Sequence, residues 1–203
     1  SMYVYYAKKV YDGIDSKKVK EMGWFLPRKN LSYENLLDSL LTDPKLLRKN
    51  EQQLFGQYYK LRDVLKKYRQ IEKNGGWNPI AIDSLEKTYK PSDSSKTIGQ
   101  IRQRLALTGD LKLDSKSNVY DEELMAGILN YKKRNGFNTD YLIASKHIQR
   151  MNIPIENYIK TIIANMERCR WIDPKLTKTD EYNIINIPSY QFFFKKNGQN
   201  ELE

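Results

Sequence analysis

One thiol and one imidazole, Cys169 and His147, are the side chains here that could run cysteine-type nucleophilic chemistry. A thiolate nucleophile needs a base within hydrogen-bond reach and a site that stabilises the oxyanion. Cys169 follows Met166 at a three-residue step on an apolar helical stripe, where a free thiol is inert packing. Arg168 and Arg170 would depress its pKa were it exposed, but no Ser-Gly or strained turn surrounds it. The expected catalytic set is therefore empty. One His and one Cys also fall short of the about four nitrogen and sulfur ligands of a zinc cage, so neither metal nor cofactor is expected. Gly75-Gly76 is not followed by Gly-Lys-Ser/Thr; it reads as a helix stop and not as a phosphate cradle.

Binding chemistry has more candidates. Arg168-x-Arg170-Trp171 could contact an acidic ligand, or could anchor a helix to the following domain through Arg–carboxylate pairs and Trp burial. The anchoring role is the expectation, since Arg and Trp commonly pack their apolar parts. Lys132-Lys133-Arg134 reads as a solvated helix end, where cations suit the helix dipole. Lys plus Arg is 35 against 25 Asp plus Glu, a formal charge of +10 that favours anionic partners. The basic residues are spread along the chain, and solvated helix faces account for most of them. Hydrophobic residues at 39% suffice for a globular core, and no apolar run approaches the ~20 residues of a membrane span. No signal-peptide pattern is present. Ser1 before Met2 looks like a cloning remnant, so an exported parent would have had its signal removed.

The elements that must position these residues are mainly helical. Tyr3–Val10 and Tyr33–Leu41 are helix candidates, with Gly23 and Pro27 marking a loop between them. Leu54, Tyr58, Leu61, Leu65 and Tyr68 share one face of an amphipathic helix that stops at Asn74-Gly75-Gly76. Two prolines and the Pro91-Ser92-Asp93-Ser94-Ser95 cluster read as a linker between Trp77 and Lys96. Thr97 is a plausible cap for a helix carrying Ile98, Ile101 and Leu105, broken by Gly109-Asp110. Asp121 caps the next, with Leu124, Ile128 and Tyr131 inward and Asn135-Gly136 at its end. A short helix over Ala144–Met151 precedes one over Glu156–Trp171, whose stripe is Ile159, Ile162, Ile163, Met166 and Cys169. After Pro174, Tyr182–Ile187 and Tyr190–Phe194 are β-rich, and Lys196-Asn197-Gly198 is a turn signal.

Several stretches resemble a known family when taken in order. Asn165-Met166-Glu167-Arg168-Cys169-Arg170-Trp171 resembles the N-x-E-R-x-R-W helix of large murein L,D-transpeptidases of the YcbB type. Tyr6–Asp15, Trp24, Tyr59–Arg62 with Leu65–Tyr68, and Gly75-Gly76-Trp77 are similar to that family's scaffold domain. Ile101–Leu111 resembles the L-R-x-R-L-x-x-T-G-D-L run opening its peptidoglycan-binding-like module, and Tyr120–Asp140 the helix, Gly and Asp of such a module. Asn186-Ile187-Pro188 with Phe192 looks like the first strand of the transpeptidase domain.

The resemblance implies a mainly α chain: a helical scaffold over 1–90, a three-helix peptidoglycan-binding-like module over 91–154, and a connecting helix over 155–176. The first strands of a truncated catalytic domain, a short β-hairpin, would occupy 177–203. It implies a periplasmic or cell-envelope setting, with peptidoglycan and the chain's own downstream catalytic domain as partners. The family's H-x-S/T … S-x-G-C-I/V-R catalytic region is absent, so this chain is expected to be inactive. The implied binding residues are Tyr131, Arg134, Phe137, Asp140 and Tyr141, the rings stacking on sugars and Arg134 holding carboxylates. Trp77, Arg168, Arg170 and Trp171 are expected to be structural. The module departs from its family at Tyr131-Lys132, Asp140-Tyr141, Ile143-Ala144 and His147: helix-forming positions are kept and turn glycines replaced. Two alternatives stand beside this reading. One is a basic helical nucleic-acid binder built on the helices from Ile101 to Met151, although no helix combines a dense cationic face with Asn/Gln at base-reading spacing. The other is a self-contained cysteine enzyme.

Overall fold

The computed structural model describes residues 2–25, 31–45, 54–83, 87–177, 180–186, 191–197 and 199–202. The chain is mainly α. Its helices are α1 (Met2–Tyr11), α2 (Ser16–Glu21), α3 (Tyr33–Thr42), α4 (Gln57–Lys73), α5 (Lys96–Thr108), α6 (Glu122–Asn135), α7 (Ser145–Met151) and α8 (Ile155–Trp171). Two short strands, β1 (Thr88–Tyr89) and β2 (Ile143–Ala144), pair antiparallel, and β3 (Glu181–Asn186), β4 (Gln191–Lys196) and β5 (Gln199–Leu202) form a separate antiparallel sheet. Two compact units divide the chain: residues 1–66 with 161–203, and residues 67–160.

Local chemistry explains the boundaries of the second unit's helices. After Lys73 the chain reverses through Gly75 and Gly76, both at positive φ. The Gly76 amide donates to the Ile71 carbonyl at 2.9 Å and the Gly75 amide to Glu72 at 3.0 Å, the paired reverse bonds of a glycine-terminated helix. The same pattern closes α5, where the Asp110 amide donates to Leu105 at 2.9 Å, and α6, where Phe137 donates to Lys132 at 2.9 Å. Asp121 caps α6, accepting from the Leu124 amide at 3.0 Å. The cap of α5 is Ser95, which accepts from Ile98 at 3.2 Å. Thr97, expected in that role, is instead buried within the first turn and donates to Asp83 at 3.0 Å.

The core of this unit gathers Ile98, Ile101 and Leu105 from α5, Leu124, Ile128 and Tyr131 from α6, and Ile148 and Met151 from α7. Ile80 and Tyr89 belong to the same core. The described part of the stretch read as a linker is thus packed structure. Asp83 holds it by accepting from Tyr89 Oη and Thr97 Oγ1, and a bridge joins Ser94 to Val119. The compact unit starts at 67 and ends at 160, where the sequence suggested 91 and 154.

In the first unit, Ile159's helix continues: of the expected α8 stripe, Ile162, Met166 and Cys169 are buried but Ile163 is 43% exposed. The helix meets its surroundings along a narrower seam, and Trp171 completes it at 5% exposed. In the sheet, Ile184 faces Phe193 and Ile185 faces Phe192 across β3 and β4. The expected hairpin is extended by β5 after Asn197, which lies at φ 50. Pro27, Ile187, Pro188, Tyr190 and Gly198 lie outside the described residues.

Candidate functional site

The residues carrying the second unit's resemblance are committed to holding it together. Arg102 is 0% exposed. Its guanidinium donates to Asp121 at 2.7 Å, Glu123 at 2.9 Å, and the carbonyls of Ser117 and Val119 at 3.1 and 2.9 Å. Arg104, 4% exposed, donates to the Met151 carbonyl, to Asn78 at 2.7 Å, and lies 4.5 Å from the Trp77 ring centroid. Burial pushes its pKa down to about 10. Lys132 is buried between Asp140 and the Leu142 carbonyl. It was expected on a solvated helix end; instead its ammonium closes the loop after α6.

The expected ligand residues divide. Tyr131 is 4% exposed and donates to the His147 carbonyl at 3.2 Å, so its ring is not available for sugar stacking. Phe137 packs on the core, its ring centroid 4.8 Å from that of His147 and 6.1 Å from that of Tyr131. Arg134 forms a two-pronged pair with Asp110 at 2.8 and 2.6 Å; that hydrogen bonding raises its pKa above the ordinary value. The Asp110 carboxylate occupies the place a ligand carboxylate would take. Asp140 pairs with Lys132, which holds its carboxyl below the usual range. Tyr141 is exposed, while its carbonyl accepts from Tyr120 Oη at 2.7 Å. Tyr131, Phe137 and Arg134 are brought together as packing around one corner of the unit.

His147 caps α7: its Nδ1 accepts from the Ala144 amide at 3.0 Å. An acceptor nitrogen is unprotonated, and desolvation, followed by the charges of Lys132 and Lys146, lowers its pKa to about 4. Cys169 belongs to the other unit and is 6% exposed, with burial raising its pKa above the ordinary value.

In the first unit, Glu167 joins two motifs 153 residues apart. Its carboxylate accepts from the Ile14 amide at 2.7 Å, Trp171 Nε1 at 2.9 Å and Arg170 at 2.8 Å. Arg170 also donates to the Val10 carbonyl at 2.8 Å and to Tyr58 Oη at 3.3 Å. Trp171 meets Trp24 edge to face, centroids 5.3 Å apart. Gly13, at φ +68, passes so close that a Cβ would collide with the Glu167 carboxylate. Among the described residues, Arg170 and Trp171 hold the end of α8 against Val10, Trp24 and Tyr58, segments that precede it in the chain. Arg168 is exposed and donates to Asn165 at 2.9 Å.

A cleft of about 520 Å³ lies in the second unit between the Gly75–Ile80 segment and the outer face of α5. Trp77, Asn78, Gln100, Gln103, Arg104, Leu107 and Asp114 line it. Trp77 is half-buried: Nε1 donates to the Ile153 carbonyl at 3.1 Å, and the rings of Tyr68 and Tyr158 pack against it. Asn152 pins Ile80 from both sides, accepting from its amide at 2.8 Å and donating to its carbonyl at 2.9 Å. This wall is fixed before any ligand arrives. Gln100, Gln103 and Leu107 are spaced i, i+3, i+7 on one helix face, a signal present in the sequence and not used there.

Among the described residues no group of three His, Cys, Asp or Glu is placed to hold a metal, and no helix is long and apolar enough to cross a membrane. No protein-family model matches this chain, and no curated relative matches it.

Proposed function

We propose that this chain is the non-catalytic scaffold and peptidoglycan-recognition part of a cell-wall L,D-transpeptidase of the bacterial envelope, holding wall strands for its own downstream catalytic domain. The observation that supports this best is the use made of the Ile101–Leu111 run. Arg102 and Arg104 tie α5 to the α6 start and to the Gly75–Ile80 segment. Gly109 turns the chain at φ 84, Asp110 pairs with Arg134, and Leu105 and Leu111 enter the core. Arg102, Arg104, Leu105, Gly109, Asp110 and Leu111 thus each have an architectural task within the second unit, as the resemblance would require. The Glu167 hub gives the scaffold motifs the same internal logic.

The nucleic-acid alternative depends on free cations. Arg102, Arg104, Lys132 and Arg134 are hydrogen-bonded within the unit, which withdraws them from phosphate contact. Co-sedimentation with purified sacculi tests the proposal: retention in high salt and in the presence of duplex DNA is expected. Binding that DNA abolishes would overturn it.

A further inference from the structure

The cleft beside Trp77 is an unassigned cavity whose chemistry can be read from its walls. Its volume, about 520 Å³, falls in the range of small-ligand sites, roughly 300–1,000 Å³. Carboxamides dominate its polar lining: Asn78 on one wall, Gln100 and Gln103 on the other. A carboxamide donates and accepts at once, which matches hydroxyl and acylamino groups better than it matches a bare charge. Gln100 already accepts from the Ala81 amide at 2.9 Å, leaving its NH₂ for a ligand; Gln103 is exposed on the same face.

Charge decides between ligand classes. The charged groups in the lining are Arg104 and Asp114. The Arg104 guanidinium is buried and turned to the Met151 and Asn78 carbonyls, so it steadies the wall. The Asp114 carboxylate would repel a phosphate or a second carboxylate. A site lined by amides, an indole, the apolar surface of Ala106 and Leu107, and a carboxylate, with its guanidinium already bonded to carbonyls, fits a neutral ligand. Its wall is also preorganised, by the Asn152–Ile80 pair and the Trp77–Ile153 bond, which lowers the ordering cost of binding.

We propose that this cleft binds a neutral N-acylated sugar unit of a glycan, with Trp77 as its aromatic wall and Gln100, Gln103 and Asn78 as its hydrogen-bonding rim. The inference rests on the wall-recognition reading for its biological ligand, but the site stands on its own geometry.

The test is titration of the ¹⁵N-labelled full chain with the tetramer of N-acetylglucosamine, with cellotetraose, which lacks the acylamino group, as control. The expected result is chemical-shift change at Trp77, Asn78, Gln100 and Gln103, and affinity lower by about tenfold in Gln103→Ala, the loss of one hydrogen bond. Because Gln103 is exposed, this variant is expected to keep its fold, checked by an unchanged melting temperature. Equal binding of cellotetraose overturns the acylamino assignment, and unchanged affinity in Gln103→Ala overturns the placement. Absence of cleft shifts overturns the site; sacculi still sedimenting with the chain would then leave the wall-recognition reading standing. Cleft shifts without any sedimentation support the site and sink that reading instead.

Discussion

Glu167 gathers three hydrogen bonds within the first unit, from the Ile14 amide, the Trp171 indole and Arg170. Replacing it by Ala removes the carboxylate that accepts from the Ile14 amide, the Trp171 indole and Arg170. A half-buried donor stripped of its partner costs about 1–3 kcal/mol, so Glu167→Ala is expected to lower stability by roughly 3 kcal/mol, read from urea midpoints. A loss under about 1 kcal/mol would mean water replaces the carboxylate freely. His147 makes a prediction of a different kind. Above pH 6.5 its imidazole is neutral in folded and unfolded chains alike; as pH falls, the unfolded chain gains a proton that the folded one refuses until about pH 4. Stability should therefore decline from pH 6.5 to 4.5 by about 2–3 kcal/mol. His147→Gln, which keeps an acceptor for the Ala144 amide, should lose this slope while the carboxylate contributions below it remain.

Among elements, α6 shows which signals survive from sequence into structure. Asp121 as cap, Gly136 as stop and Leu124, Ile128 and Tyr131 as inner face were all legible, because each is a local preference read at helical spacing. The Asp121 carboxylate also receives Arg102, a pairing that sequence spacing does not announce. Asp121→Ser should keep the cap and lose the ion pair; Asp121→Ala should lose both. The expected order of thermal stability is wild type, Ser, Ala, with the Ala variant down by about 2 kcal/mol or more, since a buried guanidinium is left with one carboxylate fewer. Equal losses in the two variants would show the cap bond to be worthless here. Lys132 and Arg104 were misjudged or passed over for the same reason: a cation is solvated or buried according to what the fold brings to it. The 77–96 stretch likewise reads as solvent-loving by composition, yet Asp83, Tyr89 and the Ser94–Val119 bridge tie it down.

At the scale of the molecule, mainly helical character was plain in the periodicity, while the sites were not. Tyr131 and Arg134 were expected as ligand residues from the resemblance, the ring for sugars and the guanidinium for carboxylates; tertiary packing turns the ring inward and gives Arg134 to Asp110. The cleft beside Trp77 forms only where residues 74–80 meet residues 100–114, and no single window contains it. The measurement that bears most directly on the account is sedimentation of the chain with purified sacculi in low salt and in about 0.5 M salt, where long-range charge attraction is screened to a few ångströms. Retention at both, undiminished by excess duplex DNA, is the predicted result. Release by salt or by DNA would contradict it, leaving a basic helical protein whose attraction to the wall is charge alone.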